Sequence, residues 1–384
     1  MSYIAVNENF VAVANGLHID CYDHENHKVI SISSANTQND DRISDMVISS
    51  DNKYLAVITS TSKQLKIYNL SILKEERVIV LPRSASKIRF TIDNTQILVA
   101  DKTGDGLIYN ILTEDSGTQL LGHLSLLLNI LQTSDGKYII TADRDEKIRV
   151  TCYPKTYIIH SYCLGHKEFV NHLELLPHDE RYLISTSGDG TIKFWNYEKG
   201  ALCYTIDTYI DVNDESLKEE FKKYMDGEGI EVDHLPIVHF TVMKISESCS
   251  LIAASVHLVN KVFIYTVDTK NEQFTHKLKH TLNFNDYPSA IKLHTSFLYV
   301  YIDAKCEILK YKITSNVDKM DVVLIKNITM FNNIDVISDV VDNRNSIKVL
   351  YKRKFDNVQE YQERKKQRLA IATDKQTDSD THSN

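Results

Sequence analysis

The chain has 384 residues, of which 42% are hydrophobic and 25% charged, and its formal net charge at pH 7 is −8. This acidic balance argues against a surface that coats nucleic acid by neutralising phosphates. No apolar run reaches the roughly 18 residues of a membrane-spanning helix, and residues 1–14 lack the basic-then-apolar order of a secretory signal. We therefore expect a protein of the nucleus or the cytosol, with no membrane partner.

Motifs that would indicate chemistry are missing from the sequence. The six cysteines form no C-x-x-C pair, so neither a zinc ribbon nor a thioredoxin-type site is indicated. No P-loop, H-E-x-x-H or G-x-S-x-G motif occurs, and no G-x-G-x-x-G follows a predicted strand. We expect a binding protein rather than an enzyme, without a metal and without an organic cofactor.

An internal repeat runs along the chain. From His123 to His166 is 43 residues, a spacing within the roughly 40–45 residues of a WD blade. One sequence slot, aromatic in six of seven cases, recurs at intervals of 41 to 46 residues, apart from one interval of 70 that contains an insertion. In chain order the slot holds Tyr22, Tyr68, Tyr109, Thr151, Trp195, Tyr265 and Tyr311.

The segments around these slots have strand character. Short β-branched and aromatic runs such as "KYLAVIT" and "RYLIST" alternate with turn signals such as Ser-Asp-Gly. Seven four-stranded blades in a ring bury their apolar faces and leave only short edges. We therefore predict an all-β fold, a seven-bladed WD-repeat β-propeller over residues 1–350, with each slot near the end of a third strand. We expect the strands around Tyr22 to share a sheet with "NSIKVLYK", residues 345–352.

Two neighbouring repeats carry polar residues at matching positions. The clearer repeat contains His166, Ser185, Asp189 and Trp195, and the preceding one contains His123, Thr141 and Asp145. Because the spacing recurs, we predict a structural tetrad that satisfies buried polar groups at the turn between the second and third strands. A His–Ser–Asp set could also indicate a hydrolase, and burial of these side chains would contradict that alternative.

Residues 208–236 interrupt the repeat. Within them, "VNDESLKEEFKKYM" places Leu217, Phe221 and Tyr224 at spacings of four and three, which predicts a short amphipathic helix. Asp214 or Ser216 is a candidate cap for its first turn. The insertion is either a loop on the rim of the propeller or a contact for a partner.

Residues 351–384 differ in character from the repeats. We predict a basic, partly helical tail that becomes disordered over the last dozen residues. Its cations would contact RNA, an acidic partner or a nuclear import receptor, or would simply be solvated. They are Lys352, Arg353, Lys354, Arg364, Lys365, Lys366 and Arg368.

A run of five charged residues, Asp143 to Lys147, fills the turn of one repeat. In the next repeat the corresponding turn contains two glycines, so this much charge exceeds what a turn requires. Arg149 follows the run, but Lys66 and Lys193 hold equivalent slots, so a cation there is routine for this chain. The run predicts either a partner site or a solvated rim.

The stretch from Gly122 to Trp195 resembles the WD-repeat non-catalytic subunit of tRNA (guanine-N7-)-methyltransferase. The most specific segments are "ADRDEKIRV" (142–150) and "CLGHKEFV" (163–170). The segment "VADKTGDG" (99–106) and the composition of the basic tail also match. The resemblance is strong over the middle third of the chain and holds at blade level elsewhere. A generic WD protein would not be expected to carry D-R-D-E-K in this turn.

The resemblance implies a scaffold that holds no cofactor itself. It would bind and stabilise a separate catalytic subunit as a heterodimer, and that Rossmann-type partner would use S-adenosylmethionine to form N7-methylguanine in the variable loop of tRNA. The tRNA would be contacted mainly through the partner. The resemblance also implies a salt bridge from Arg149 to an acid of the catalytic subunit, with Lys147, Arg144 and Lys102 near the contact.

Two features depart from the pattern of repeats. Thr151 takes the place of the usual aromatic residue, and the insertion at 208–236 contains no motif of the family. The alternative is a generic propeller adaptor, for instance in a ubiquitin ligase or a chromatin assembly. The partner recovered by pull-down and the N7-methylguanine level of tRNA would distinguish the two.

Overall fold

The computed structural model describes residues 3–23, 26–32, 41–114, 116–315, 320–331 and 347–353. These residues form seven antiparallel sheets, each built from four consecutive strands. We number the sheets as blades 1 to 7 in chain order. Across these ranges, no helix has the length and apolar character needed to cross a bilayer.

The first four blades span residues 3–163. Blade 1 contains β1 (Tyr3–Val6), β2 (Phe10–Asn15), β3 (His18–Asp23) and β4 (Asn26–Ser31). Blade 2 contains β5 (Ile43–Ile48), β6 (Tyr54–Thr59), β7 (Gln64–Asn69) and β8 (Lys74–Val80). Blade 3 contains β9 (Ala85–Phe90), β10 (Gln96–Asp101), β11 (Asp105–Asn110) and β12 (Thr118–Gly122). Blade 4 contains β13 (Leu127–Gln132), β14 (Tyr138–Asp143), β15 (Ile148–Cys152) and β16 (Ile159–Cys163).

The other three blades span residues 170–329. Blade 5 contains β17 (Val170–Leu175), β18 (Tyr182–Ser187), β19 (Thr191–Asn196) and β20 (Ala201–Asp207). Blade 6 contains β21 (Ile237–Ser246), β22 (Cys249–Val256), β23 (Lys261–Lys270) and β24 (Gln273–Asn283). Blade 7 contains β25 (Ala290–His294), β26 (Phe297–Ile302), β27 (Glu307–Ser315) and β28 (Met320–Thr329), with a 3-10 helix (Asp303–Lys305) before β27.

The first strands of the blades form the inner wall of a closed ring. Each first strand packs against the first strand of the next blade, and β1 contacts both β5 and β25. Side-chain amides join neighbouring blades: Asn129 Nδ2 donates to the carbonyl of Asn171 at 3.0 Å, and Asn171 Nδ2 donates to that of Ile237 at 2.6 Å. The predicted seven-bladed β-propeller is therefore confirmed.

The predicted closure of the ring is wrong. Blade 1 already has four consecutive strands and β28 completes blade 7, so neither sheet lacks a strand. Blades 1 and 7 instead meet face to face, and the Phe331 amide donates to Asp20 Oδ2 at 2.6 Å across the join. The described part of "NSIKVLYK", residues 347–352, pairs with no strand and packs elsewhere.

The repeating slot lies on the third strand of every blade, as predicted. Tyr68, Tyr109, Trp195 and Tyr265 are buried, so these rings fill the spaces between blades. Thr151, the exception in sequence, is also buried in β15, but its hydroxyl has no hydrogen-bond partner within the described ranges. Blade 4 therefore lacks the ring that its neighbours place there.

The insertion between β20 and β21 contains two helices, α1 (Tyr209–Val212) and α2 (Glu215–Asp226). The predicted amphipathic helix is confirmed, and Asp214 caps it by accepting from the Leu217 amide at 3.0 Å. Phe221 and Met225 are buried against blades 5 and 6. Because the Tyr265 hydroxyl also donates to Asp211 at 2.8 Å, the insertion is packed onto the ring.

Candidate functional site

The polar set of blade 5 forms one continuous hydrogen-bond chain. The Trp195 indole donates to Ser185 Oγ at 2.8 Å, and Ser185 Oγ lies 2.7 Å from His166 Nε2. His166 Nδ1 lies 2.9 Å from Asp189 Oδ2. Because the carboxylate can only accept, a neutral His166 ring donates from Nδ1 to Asp189, and its Nε2 then accepts from the serine hydroxyl. The chain joins the loop before β17 to the β18–β19 turn.

Burial makes this chain a structural element. His166, Ser185 and Asp189 are each at most 5% exposed, so a substrate has no route to the hydroxyl. Burial lowers the pKa of His166 and so keeps its ring neutral. Although burial opposes ionisation of Asp189, hydrogen bonds from His166, Thr191 and the Lys167 amide hold the pKa of its carboxyl well below the usual range. This geometry contradicts the hydrolase alternative.

The corresponding set in blade 4 uses a different acid from the one predicted. His123 Nε2 lies 2.9 Å from Thr141 Oγ1, but its Nδ1 lies 2.9 Å from Asp143, not Asp145. Asp143 ends β14 and also accepts from the Lys147 amide at 3.0 Å, so its carboxylate closes the turn. Asp145 lies farther out on the turn and is partly exposed. The prediction for Asp145 is therefore wrong.

The cations predicted to bind a partner lie near one end of the ring, which we call the upper end. It is formed by the turns between second and third strands and by the loops that lead into first strands. Lys147 is exposed and Arg144 partly exposed on the β14–β15 turn. Lys102 is exposed on the β10–β11 turn of blade 3, where partial desolvation and the charge of Arg42 lower its pKa. Arg144, Lys147 and Arg149 therefore lie on blade 4, and Lys102 lies on the neighbouring blade 3.

Arg149 differs from the cations at equivalent positions. Lys66 Nζ lies 3.0 Å from Glu75 within blade 2, and Lys193 Nζ lies 3.3 Å from Thr205 Oγ1 within blade 5. Arg149 donates to the Gly122 carbonyl at 3.0 Å. Among the residues that the structure describes, no carboxylate lies within 4.0 Å of its guanidinium. Arg149 is therefore a partly exposed cation whose charge has no counter-ion among the described residues.

Exposed apolar side chains lie on the segments next to Arg149, and they were not predicted from the sequence. Tyr162 lies directly opposite Arg149 on the outer strand β16 and is 39% exposed. Leu164 follows it at 61% exposure, and Leu124, two residues after Gly122, is fully exposed. The available signal was a leucine beside each Gly-His pair, in "GHL" and "CLGH". We call this set the blade 4 surface: Leu124, Arg144, Lys147, Arg149, Tyr162 and Leu164.

The cations of the predicted tail fall into two groups. Lys352 and Arg353 are described and exposed, whereas the remaining five lie outside the described residues. The Lys352 ammonium pairs with the Glu146 carboxylate on the β14–β15 turn. Tyr351, placed at the start of the tail by the sequence, is 4% exposed and packs against the propeller. These contacts bring the start of the tail beside the blade 4 surface.

Known proteins resemble this chain in both sequence and fold. A Drosophila willistoni protein named tRNA (guanine-N(7)-)-methyltransferase non-catalytic subunit wuho is 48% identical over 155 residues, 40% of this chain and 36% of that protein. The protein of the same name from Drosophila melanogaster is 44% identical over 162 residues, 41% and 38% of the two chains. The match thus spans less than two fifths of the length of these curated relatives.

Solved structures are similar to this chain in fold alone. A chain in the crystal structure of a mitotic checkpoint complex has a TM-score of 0.62 at 14% identity, covering 79% of this chain and 84% of its own length. The structure of U3-55K has a TM-score of 0.61 at 17% identity, covering 78% and 87%. At these sequence identities the similarity shows a shared β-propeller architecture and says nothing about function.

A family match covers most of the repeats. Residues 18–119 and 113–312 match the family described as tRNA methyltransferase TRM82 WD40 domain. The two segments run from β3 to β27 and include the whole blade 4 surface. The chain belongs to the TRM82 WD40 domain family of tRNA methyltransferase proteins.

Proposed function

We propose that this chain is the non-catalytic subunit of a tRNA (guanine-N7-)-methyltransferase. It binds and stabilises a separate S-adenosylmethionine-dependent catalytic subunit, forming a heterodimer that produces N7-methylguanine in the variable loop of tRNA. The observation that carries the proposal is Arg149: it is partly exposed, no carboxylate of the described residues lies within 4.0 Å of its guanidinium, and the exposed Tyr162 lies opposite it on β16. Such a combination of an arginine with exposed apolar contacts is typical of protein interfaces.

The blade 4 surface favours an acidic patch on the partner. Arg149, Lys147 and Arg144 lie on the same blade, and Lys102 on blade 3 extends the positive charge. A carboxylate of the catalytic subunit would meet Arg149, while Leu124, Tyr162 and Leu164 would be buried around the ion pair. Burial of the surrounding apolar groups excludes water and strengthens such a pair.

The overall charge favours a division of labour between the subunits. The chain carries a net charge of −8, which repels tRNA phosphates except where cations are concentrated. The partner would therefore make most contacts with tRNA. The cations of the basic tail after Arg353 are candidates for additional contact with RNA or with the partner. The names of the curated relatives, which describe this same non-catalytic subunit, also support the proposal. We further propose that the complex works in the nucleus.

The test is charge reversal at the centre of the surface. Arg149→Glu should prevent co-purification with the co-expressed catalytic subunit while leaving the melting temperature of the isolated propeller within a few degrees of wild type. Lys277→Glu is the matched control, because Lys277 is exposed on β24 of blade 6, away from the blade 4 surface. Wild-type yield of the complex with Arg149→Glu would remove Arg149 from the interface. Recovery of an unrelated partner, with normal tRNA methylation in a deletion strain, would favour the adaptor alternative.

A further inference from the structure

Residues 347–353 form a short segment on the upper end of the ring, which we call the strap. It packs against α2 and against the loops and turns of blades 4 and 5. It contributes no strand to any sheet. Its position connects the insertion to the β14–β15 turn, the turn that carries two cations of the blade 4 surface.

The strap is anchored by apolar side chains. Ile347 and Tyr351 are 1% and 4% exposed. The Tyr351 ring lies edge-on to Phe169 with centroids 4.9 Å apart, and it lies 6.5 Å from Phe221 on α2. The Tyr351 hydroxyl donates to the Gly188 carbonyl at 3.0 Å. Burial of two large side chains and a satisfied hydroxyl fix the backbone that leads into Lys352.

A second ion pair fixes the strap on its other side. Lys348 Nζ lies 3.1 Å from Glu228 Oε1, just after α2. This pair is partly buried, and it ties the strap to the insertion independently of Tyr351. The insertion therefore serves as a support for the strap.

The end of the strap enters an acidic region. Lys352 Nζ pairs with the Glu146 carboxylate and lies 3.9 Å from Asp145 Oδ1. Glu168 lies nearby: burial, followed by the charges of Glu146 and Asp189, raises the pKa of its carboxyl to about 7, and the Lys352 charge opposes this rise. Lys352 thus supplies positive charge where several carboxylates converge.

Three acids and two bases lie on the β14–β15 turn, but one of the acids, Asp143, is buried and faces inward. Asp143 is held by His123 and by the Lys147 amide, which leaves Asp145 and Glu146 to oppose Arg144 and Lys147. At separations of a few ångströms, uncompensated carboxylates would cancel the attraction of these cations for an acidic partner. With Lys352 paired to them, the outward charge of the turn is positive.

We propose that Lys352 is a positioning residue for partner binding: it neutralises Asp145 and Glu146, so that the β14–β15 turn presents Arg144 and Lys147 to the acidic surface of the catalytic subunit. This inference rests on the proposed function of the blade 4 surface. The strap acts through the turn and does not itself contact the partner. The insertion and Tyr351 hold Lys352 in place, so the turn is ordered before binding, which lowers the entropic cost of association.

The test is a charge swap measured as the Kd for the purified catalytic subunit, with the full chain in every case. Lys352→Glu should raise the Kd about tenfold by adding repulsion beside Asp145 and Glu146. Combining Lys352→Glu with Glu146→Lys restores an opposite-charge pair at the same place and should bring the Kd back to within about threefold of wild type.

Arg353→Glu is the matched control. Arg353 is the next residue of the strap, is exposed, and has no carboxylate within 4.0 Å in the part of the chain that the structure describes. Its reversal should change the Kd less than about threefold. An equal loss with Arg353→Glu, or no recovery in the swapped pair, would mean that the strap touches the partner directly and would overturn the positioning role.

The two levels of the proposal fail in different ways. If the wild-type chain does not bind the catalytic subunit, the proposed function fails. If the wild-type chain binds and Lys352→Glu binds equally well, only the role of Lys352 fails. Hydrogen exchange at residues 347–351 should stay slow in Lys352→Glu, because Tyr351 and Ile347 remain packed. Fast exchange there would trace the lost affinity to release of the strap and would contradict the charge argument.

Discussion

Arg89 and Glu174 form a two-bond salt bridge across the central channel. Arg89 Nη1 and Nη2 lie 3.1 and 2.9 Å from the two carboxylate oxygens of Glu174, and Nη2 also donates to the Leu173 carbonyl at 2.8 Å. Arg89 is on β9 of blade 3 and Glu174 on β17 of blade 5. The bridge therefore passes over blade 4, the blade whose third strand lacks an aromatic ring and whose surface carries Arg149.

Glu174→Gln should destabilise the propeller by about 1–2 kcal/mol, because it leaves the Arg89 charge in the channel without its carboxylate. A double-mutant cycle of Glu174→Gln and Arg89→Met, with each free energy of unfolding measured in urea, gives the coupling energy between the two side chains. Despite burial, the Arg89 charge lowers the pKa of Glu174. The stabilisation should thus be complete above about pH 5 and should disappear as pH falls through the lowered pKa. A coupling energy near zero at pH 7 would show that the bridge contributes nothing.

Asp143→Asn should destabilise the propeller by about 2 kcal/mol, because the carboxylate accepts hydrogen bonds from His123 and from the Lys147 amide. Asp145→Asn, two residues along the same turn, should change the free energy of unfolding by less than about 0.5 kcal/mol, since Asp145 is partly exposed. Chemical denaturation of both variants compares the two acids directly. Greater destabilisation by Asp145→Asn would reinstate it as the tetrad acid.

Thr151→Val should stabilise the propeller by about 1 kcal/mol. The two side chains have nearly the same shape, and the Thr151 hydroxyl is buried without a hydrogen-bond partner among the described residues. Thr141→Val is the opposite case within the same blade, because the Thr141 hydroxyl is bonded to His123 at 2.9 Å. It should cost about 1–2 kcal/mol. Thermal melts of the two variants should shift in opposite directions, and a lower melting temperature for Thr151→Val would reveal a partner for that hydroxyl.

Glu168→Gln should stabilise the propeller at alkaline pH. Burial raises the pKa of Glu168 to about 7 in the folded chain, above its ordinary value of 4.5. A raised carboxyl pKa means that the folded state binds the proton more tightly, so wild-type stability falls as pH rises from about 4.5 to 7. The advantage of Glu168→Gln should grow over this range to about 2 kcal/mol above pH 7. An advantage that does not depend on pH would contradict the shifted pKa.

Residue spacing predicts this fold correctly where the repeat period alone decides the structure. The slot from Tyr22 to Tyr311 identified the third strand of all seven blades, because a blade is one structural unit repeated at a nearly constant period. The same spacing failed for Asp145. By its position in the repeat, Asp145 aligns with Asp189. The carboxylate that reaches His123 is nevertheless that of Asp143, because Asp143 is the residue at which β14 ends. The turn of blade 4 also lacks the glycines found in the turn of blade 5.

The strap and the apolar part of the blade 4 surface were missed for a different reason. "NSIKVLYK" has strand character, and nothing local indicates that blades 1 and 7 are already complete. Likewise, nothing in the sequence around Leu124 and Leu164 indicates that these side chains stay exposed in the fold, each two residues from a residue that contacts or faces Arg149. Which apolar side chains remain uncovered depends on contacts between distant segments, and one sequence does not record these.

The most direct test of the central proposal is tRNA methylation by the purified catalytic subunit, measured as N7-methylguanine formed, with and without this chain. We predict little or no product from the catalytic subunit alone, full activity after addition of the wild-type chain, and at least a tenfold lower stimulation by Arg149→Glu at equal concentration. This chain incubated alone with tRNA and S-adenosylmethionine should give no product. Equal methylation with and without the chain, or methylation by the chain alone, would contradict the account.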